Sequence, residues 1–420
     1  MITPAYSPTA TERVLPRMAL DFTTASLDSR VTVTRALNTA TRTNSLGRIE
    51  IVNANLPRFD YDPVSLSCKG LLIEESRTNL YTYSEQFDHP NWTKTNSTIS
   101  ANATTSPDGT VNADKIIASV SASTAHTVAQ TITLALNTTY TVSVFAKKAE
   151  LDFLALNIFS GTTSYWTWYN LATGAIGTAT GNQTRSITDF GNGWYRCTLT
   201  VTTAASGSPN IAIFAAQVNG ALAFVGDGTS GIFLYGAQAE AGAFATSYIP
   251  TTTTSLTRNA DAVSMTGTNF SDWFNANEGT FVATTSVLNL AANRPIMQTT
   301  TGGLANGSQY VYYNPSSSRF GYRVYDATGA AVGAVNYTNA GTPVINTTYG
   351  AAIGYKTDSF AISVNGAAVG LDTLGTVTGA ADAILIGGDT GPTYLNGHAK
   401  SLRFYPLRLT NAETQAFSKG

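Results

Sequence analysis

The sequence predicts an all-β protein with two antiparallel β-sandwich domains of the jelly-roll type, preceded by an irregular N-terminal arm and followed by one short C-terminal helix. Three observations support this class. Apolar and polar residues alternate in short runs, as in residues 140–144 and 360–364. Glycine, asparagine, aspartate and proline bound these runs. Helical periodicity is nearly absent, and many short strands at close spacing are typical of sandwiches.

Two local motifs predict the ends of elements. Asn365 and Gly366 follow an alternating run, and this pair favours a two-residue hairpin turn because both residues tolerate positive φ angles. Thr410 and Glu413 have the spacing of a capping box, which predicts the start of a short terminal helix. No heptad pattern occurs, so a coiled-coil stalk is not expected.

The composition excludes several functional classes. Charged residues make up 12% of the 420 residues, and 24 basic against 26 acidic side chains leave a net charge of -2. A nucleic-acid partner is not expected, because such proteins carry basic patches that neutralise phosphates. Membrane insertion is not expected, since no apolar stretch approaches the roughly 20 residues of a membrane span. A signal peptide is not expected either, because the N-terminal residues MITPAYSPTATERVL contain no basic region followed by an apolar core.

The two cysteines, Cys68 and Cys197, lie far apart and do not form a disulfide framework. We expect both thiols to be free, with Cys197 acting as a small buried apolar residue in its strand. By sequence texture the chain divides into residues 1–83, 84–255 and 256–420, with a threonine-rich linker near residue 251.

The first region contains the motifs LDFTTASLDSRVTVTRA, NLPRFDYDP and GLLIEESRTNL, and the second contains FGNGWYRCTLTV and GDGTSGIFLYGAQAEAGAFATSYIPT. Together they resemble phage and prophage head-spike and tail-fibre proteins that carry a jelly-roll carbohydrate-binding-like module. The third region contains EGTFVATTSV, DSFAISVNG and GHAKSLRFYPLRLTNAETQAF. It is similar to concanavalin A-like and laminin-G-like sandwiches, a fold shared by lectins, glycanases and structural layers.

This resemblance implies a virion protein, assembled in the host cytoplasm, that serves as a spike, fibre or decoration subunit. Residues 1–83 would anchor it to other capsid or tail proteins, and a homotrimer is the expected assembly. Host-surface polysaccharide would be the ligand, with many weak contacts adding up to avidity. The alternative is a purely structural decoration protein without a ligand. A polysaccharide depolymerase is the least favoured class.

The richest aromatic cluster is YWTWYNLATG at residues 165–174. Strand alternation places Tyr169 and Leu171 on one face, suited to a core, and Trp166 and Trp168 on the other. Two exposed indoles could stack on the C–H faces of a sugar ring, which makes both residues candidates for carbohydrate binding. The alternative is burial against a neighbouring domain or subunit, since exposed apolar patches usually mark interfaces.

A second aromatic group consists of Tyr310, Tyr312, Arg323 and Tyr325. Tyrosine with arginine is common on recognition surfaces, so these residues are also candidates for carbohydrate binding. A structural role is favoured over binding, because sandwich faces contain many structural tyrosines.

Catalysis and metal binding have little support in the sequence. No catalytic residue is assigned, because no pair of carboxylates has the spacing that glycoside hydrolysis needs. No cofactor is expected, and the scattered histidines match no zinc spacing. Calcium remains open at the glycine-rich loops of Asp227 and Asp389, without a choice between them. An aspartate beside glycine more often forms a turn.

Overall fold

A computed structural model describes residues 15–419, except 291, 303–307, 315–318, 327, 329, 338–340 and 378–380. The described residues fold mainly into antiparallel strands, as the sequence predicts. Short helices are confined to Phe22–Thr24, Thr268–Ser271 and Asn411–Phe417. None of the helices in these ranges is long and apolar enough to cross a membrane.

The first sandwich consists of two six-stranded sheets that enclose an apolar core. One sheet has the strand order Thr184–Asp189, Trp194–Thr202, Thr139–Lys148, Gly231–Ala241, Val111–Ala118 and Ser97–Thr105. The other, which we call the tryptophan sheet, has the order Ala175–Ala179, Ser164–Asn170, Phe153–Phe159, Asn210–Ala216, His126–Ala129 and Thr93–Thr95.

The second sandwich consists of an eight-stranded and a seven-stranded sheet around the largest core cluster. The eight-stranded sheet has the order Gly370–Asp372, Phe360–Val364, Thr348–Lys356, Glu278–Val287, Gly397–Tyr405, Cys68–Ile73 and Phe59–Tyr61. Its eighth strand, Met18–Asp21, pairs with Gly397–Tyr405. The seven-stranded sheet has the order Thr32–Thr34, Ala262–Thr266, Ala383–Ile386, Arg294–Thr300, Gln309–Asn314, Arg319–Tyr325 and Ala331–Tyr337.

Three two-stranded ladders complete the architecture. They pair Ser121–Thr124 with Phe224–Gly226, Arg77–Asn79 with Leu256–Arg258, and Ala40–Thr43 with Ile49–Val52.

The N-terminal region differs from the expected irregular arm. Strands Met18–Asp21 and Cys68–Ile73 both pair with Gly397–Tyr405, near the other end of the chain. The side chains of Met18 and Leu71 are buried in the core of the second sandwich. This burial removes apolar surface from water, so the segment is held as part of that sandwich. Residues 1–14 of the predicted anchor lie outside the described residues.

Both local motifs are confirmed. Asn365 and Gly366 have φ angles of 49° and 74°, and the backbone N–H of Ala367 donates to the carbonyl oxygen of Val364 across the turn. The Thr410 hydroxyl accepts from the backbone N–H of Glu413, while the Glu413 carboxylate accepts from the backbone N–H of Thr410 at 2.8 Å. Short-range patterns were sufficient here because each motif satisfies its hydrogen bonds locally.

A buried network of charged side chains connects the N-terminal region to the linker between the sandwiches. Asp261 accepts hydrogen bonds from Arg35 at 2.8 Å and from the Arg58 guanidinium. Glu74 accepts from Arg58 at 2.7 Å, and Arg258 lies 3.6 Å from the same carboxylate. All five side chains are at most 2% exposed. We call this set, Arg35, Arg58, Glu74, Arg258 and Asp261, the arginine network.

The arginine network predicts a loss of stability in acid. Burial alone would raise the pKa of Glu74, but the positive charges of Arg258 and Arg58 outweigh it and lower the pKa from 4.5 to about 2. The folded state therefore binds this proton more weakly than the unfolded state. The resulting stabilisation is fully present above pH 4.5 and is lost as the pH falls towards 2.

Urea titrations at a series of pH values measure this effect as the free energy of unfolding. We expect Glu74→Gln to lower the free energy of unfolding at pH 7. We also expect this free energy to change less with pH between 4.5 and 2 than it does in the wild type. A Glu74→Gln variant that keeps the full wild-type slope in this window would contradict the assignment.

Candidate functional site

The outer face of the tryptophan sheet carries the aromatic cluster singled out in the sequence. The predicted alternation is confirmed on the inner face, where Thr167, Tyr169 and Leu171 are at most 2% exposed and the latter two belong to the core. Trp166 and Trp168 lie on the opposite face, next to each other, with ring centroids 5.8 Å apart. The strand thus separates core residues from candidate binding residues as expected.

The prediction that both tryptophans are exposed is wrong for Trp168. Its side chain is only 6% exposed, and its indole N–H donates to the carbonyl oxygen of Ala221 at 3.3 Å. Leu222 packs against the same cluster. The segment that contains these two residues is held by Asn219, whose side-chain oxygen accepts from the backbone N–H of Thr178 at 2.7 Å. A loop of the same chain therefore covers Trp168.

Trp166 remains half-buried and accessible from solvent. Its ring lies 5.0 Å from that of Phe214, and its backbone N–H donates to the Thr180 hydroxyl at 2.8 Å. The Trp168 ring stacks against the Trp166 indole, with an interplanar angle of 30°. The two residues form one supported stacking surface in which Trp166 is the accessible member.

The strand register places polar but uncharged groups around this surface. Asn157 pairs with Trp166 on one side and with Ala212 on the other. Phe159 pairs with Ser164 and Asn210 in the next row. Residues at the matching positions across the three strands have no ionisable side chain: Phe153, Ala155, Asn157, Phe159, Ser164, Trp166, Trp168, Asn170, Asn210, Ala212, Phe214 and Ala216. Aromatic area with amide and hydroxyl groups suits an uncharged polyhydroxy ligand.

The second aromatic group is brought together on one face of the seven-stranded sheet. Tyr310 pairs with Arg323, and the rings of Tyr310 and Tyr312 stack with centroids 4.6 Å apart. The Arg323 guanidinium lies 5.6 Å from the centre of the Tyr312 ring. Tyr310 and Tyr312 are 9% and 1% exposed, whereas Arg323 and Tyr325 are half-buried.

Tyr312 is fixed mainly by packing. Its ring lies over Gly321, where a Cβ atom would come within 2.3 Å of the ring. Burial raises the pKa of Tyr310 and that of Tyr312, so both phenols are neutral at physiological pH. The burial agrees with the structural role favoured from the sequence and leaves Arg323 and Tyr325 as the reachable members of this group.

The aspartates considered for calcium form turns. Asp227 accepts from the backbone N–H groups of Thr229 and Ser230 at 2.8 and 2.7 Å. Asp389 accepts from the backbone N–H of Gly391 at 2.9 Å and from the Thr393 hydroxyl. Across the described ranges, no three His, Cys, Asp or Glu side chains gather as a metal site would require.

Sequence reasoning missed two carboxylates that share one hydroxyl. Tyr235 lies 3.0 Å from Glu85 and 3.2 Å from Asp108. Burial raises the pKa of Glu85, whereas hydrogen bonds from Ser106 and Thr110 outweigh burial and lower the pKa of Asp108. Opposite shifts are typical of acid and base pairs in glycosidases. Here both carboxylates hydrogen-bond to Tyr235, whose side chain is 2% exposed.

Two further tryptophans and the cysteine that the sequence predicts to be buried lie in the interior. Trp92 is 1% exposed between Tyr81 and Phe87, and Trp194 is 2% exposed with its indole N–H donating to Thr105. Cys197 is fully buried, its thiol is free, and burial raises its pKa. A thiol with a raised pKa is a poor nucleophile at neutral pH.

No protein-family model matches the chain, and no curated protein matches it. Among solved structures, the chain is similar to the CBM40 module of a Ruminococcus gnavus IT-sialidase bound to α2,3-sialyllactose. The identity is 14% and the TM-score 0.29, over 34% of this chain and 83% of that one.

Two further solved structures are similar to parts of the chain. One is domain 4 of AbnA, a GH43 extracellular arabinanase from Geobacillus stearothermophilus in complex with arabinotriose, at 11% identity and a TM-score of 0.27, over 42% of this chain and 82% of that one. The other is a Trypanosoma rangeli sialidase in complex with the inhibitor DANA, at 12% identity and a TM-score of 0.28, over 73% and 60%. At TM-scores this low, the β-sandwich assignment comes from the sheets themselves.

Proposed function

We propose that the protein is an adhesion subunit that binds host-surface glycans through the outer face of the tryptophan sheet. One observation carries the proposal: an accessible indole, Trp166, is held in place by Trp168 and Phe214 on a sheet face without ionisable side chains. A rigid aromatic ring can pack on a sugar without losing side-chain entropy on binding. An exposed amide on the same face, that of Asn210, can hydrogen-bond to sugar hydroxyls.

The virion setting is the second part of the proposal. It is supported by the resemblance of the motifs in residues 1–83 and 190–251 to phage spike and fibre proteins. In this setting the protein is a homotrimer, contacts capsid or tail proteins through its N-terminal region, and faces the host with the tryptophan sheet. Individual glycan contacts are weak, and repeated copies on one particle provide the avidity.

The glycan contact is tested by Trp166→Ala. We expect at least tenfold weaker binding of oligosaccharides, about 1.4 kcal/mol, because the accessible stacking partner is removed. Titration calorimetry or saturation-transfer NMR measures the change. Phe233→Ala is the matched control, since it removes a half-buried aromatic side chain from the opposing sheet.

A purely structural subunit is the alternative function. The burial of Trp168 beneath the loop that contains Ala221 supports this alternative, because a covered indole serves packing. In that case oligosaccharides bind neither variant nor wild type, and Trp166→Ala instead alters the oligomeric state in light scattering. Polysaccharide shortened by the wild-type protein would contradict both functions and indicate a depolymerase.

A further inference from the structure

A groove of about 560 Å³ is lined by residues from the start of the first sandwich, from the segment that follows strand His126–Ala129, and from the linker, and none of them belongs to the tryptophan cluster. Leu80 and Ile132 form its apolar part, and both pack partly against the core of the first sandwich. Ser255, in the linker between the sandwiches, contributes to its rim. The volume falls within the range of about 300–1,000 Å³ that is usual for small-molecule sites.

The polar groups of the groove are held in place before any ligand binds. Gln130 is 6% exposed, and its side chain forms two hydrogen bonds with the backbone of Thr82, accepting at 2.8 Å and donating at 2.9 Å. The Asn91 side-chain amide donates to the Thr82 hydroxyl at 3.1 Å. The second N–H of the Gln130 amide and the side-chain oxygen of Asn91 are not needed for these bonds.

The chemistry of the lining selects a class of ligand. Its other polar residues, Thr131, Thr133 and Ser255, are exposed and carry hydroxyls that both donate and accept. None of the lining residues is ionisable, so an ion would gain no charge partner there. A sugar presents both hydroxyls and apolar C–H faces, which match this combination of amides, hydroxyls and aliphatic side chains.

We propose that this groove is a second binding site, specific for a segment of an uncharged oligosaccharide. The inference rests on the proposed function for the class of ligand, but the groove is formed by different residues. Two sites on one chain would let a single polysaccharide strand be held at two points, which raises its effective concentration at each.

Methyl NMR of the full-length protein tests the site. The probes are linear gluco-, galacto- and mannohexasaccharides, with a uronic-acid hexasaccharide as the charged counterpart. We expect at least one neutral probe to shift the methyl signals of Leu80 and Ile132, and the charged probe to shift them less. Thr133→Trp should fill the groove and weaken this binding at least tenfold, and Ser255→Trp should act in the same way. Thr184→Trp, on the opposing sheet, is the control and should have no effect.

The Ala212 methyl reports separately on the tryptophan face. Shifts at Ala212 without shifts at Leu80 and Ile132 would contradict the proposal that the groove binds an oligosaccharide and would leave the proposed function intact. Shifts at Leu80 and Ile132 alone would support the groove and contradict the role of Trp166. If none of the three methyls shifts with any probe, both the groove site and the proposed function are contradicted. If the charged probe causes the larger shifts, the assignment of an uncharged oligosaccharide as the ligand is contradicted.

Discussion

Asp261→Asn should destabilise the protein by about 3–5 kcal/mol, because it leaves Arg35 and Arg58 buried without this carboxylate. The substitution keeps the size and shape of the side chain, so the loss reports on charge and not on packing. Glu74 would then be the remaining acid for three buried guanidinium groups of the arginine network. The free energy of unfolding from urea titrations at pH 7 measures the effect.

Asp28→Asn is the matched control for charge removal. Asp28 pairs with Arg30 at 2.8 Å, but their side chains are 28% and 32% exposed. Exposed pairs of this kind contribute about 0–1 kcal/mol, since water solvates both charges when the pair is broken. If Asp261→Asn and Asp28→Asn lower the free energy of unfolding by the same amount, the buried arginine network contributes no more to stability than an exposed ion pair.

Trp92→Ala should cost about 3–5 kcal/mol, the range found when a large aromatic side chain is removed from a core. The indole is 1% exposed and lies between the rings of Tyr81 and Phe87, at 4.8 and 4.9 Å. Its N–H donates to the carbonyl oxygen of Tyr83 at 2.9 Å. The variant loses these ring contacts and this hydrogen bond, and it leaves a cavity in the core.

Trp166→Ala provides the comparison for tryptophan removal, because Trp166 is half-buried on a sheet surface. We expect a smaller loss of stability from it than from Trp92→Ala, measured by the same unfolding titration. Trp92→Phe should lie between wild type and Trp92→Ala, since it keeps an aromatic ring but not the N–H donor. A Trp92→Ala variant as stable as Trp166→Ala would contradict the assigned role of Trp92 as a core residue.

Features that depend on neighbours in sequence were predicted well. The alternation around Tyr169, the turn at Asn365 and the cap at Thr410 each depend on residues within a few positions of one another. Burial of Cys197 also follows from its position in an alternating strand. In these cases the local pattern and the final packing favour the same conformation.

Features that depend on distant parts of the chain were not predicted. Strand Met18–Asp21 pairs with residues almost 400 positions later, and no short-range pattern indicates that partner. Trp168 is covered by a loop around Ala221, about 50 positions away. Arg58 and Asp261 look like ordinary solvated charges in the sequence, because only the fold brings them into contact.

The candidate site was therefore predicted in part. Strand alternation indicated which face carries Trp166, and the structure adds the support from Phe214, which lies 48 positions further along the chain. The groove around Gln130 had no signal in the sequence, because threonine, asparagine and glutamine are common throughout this chain.

A glycan array probed with the intact protein tests the central claim most directly. The claim is that an uncharged, aromatic sheet face holds glycans without cleaving them. We expect saturable binding to at least one glycan class, strongly reduced by Trp166→Ala and unchanged by Phe233→Ala, with the bound polysaccharide keeping its length. An array without any saturable signal, from a protein shown to be folded, would contradict the claim.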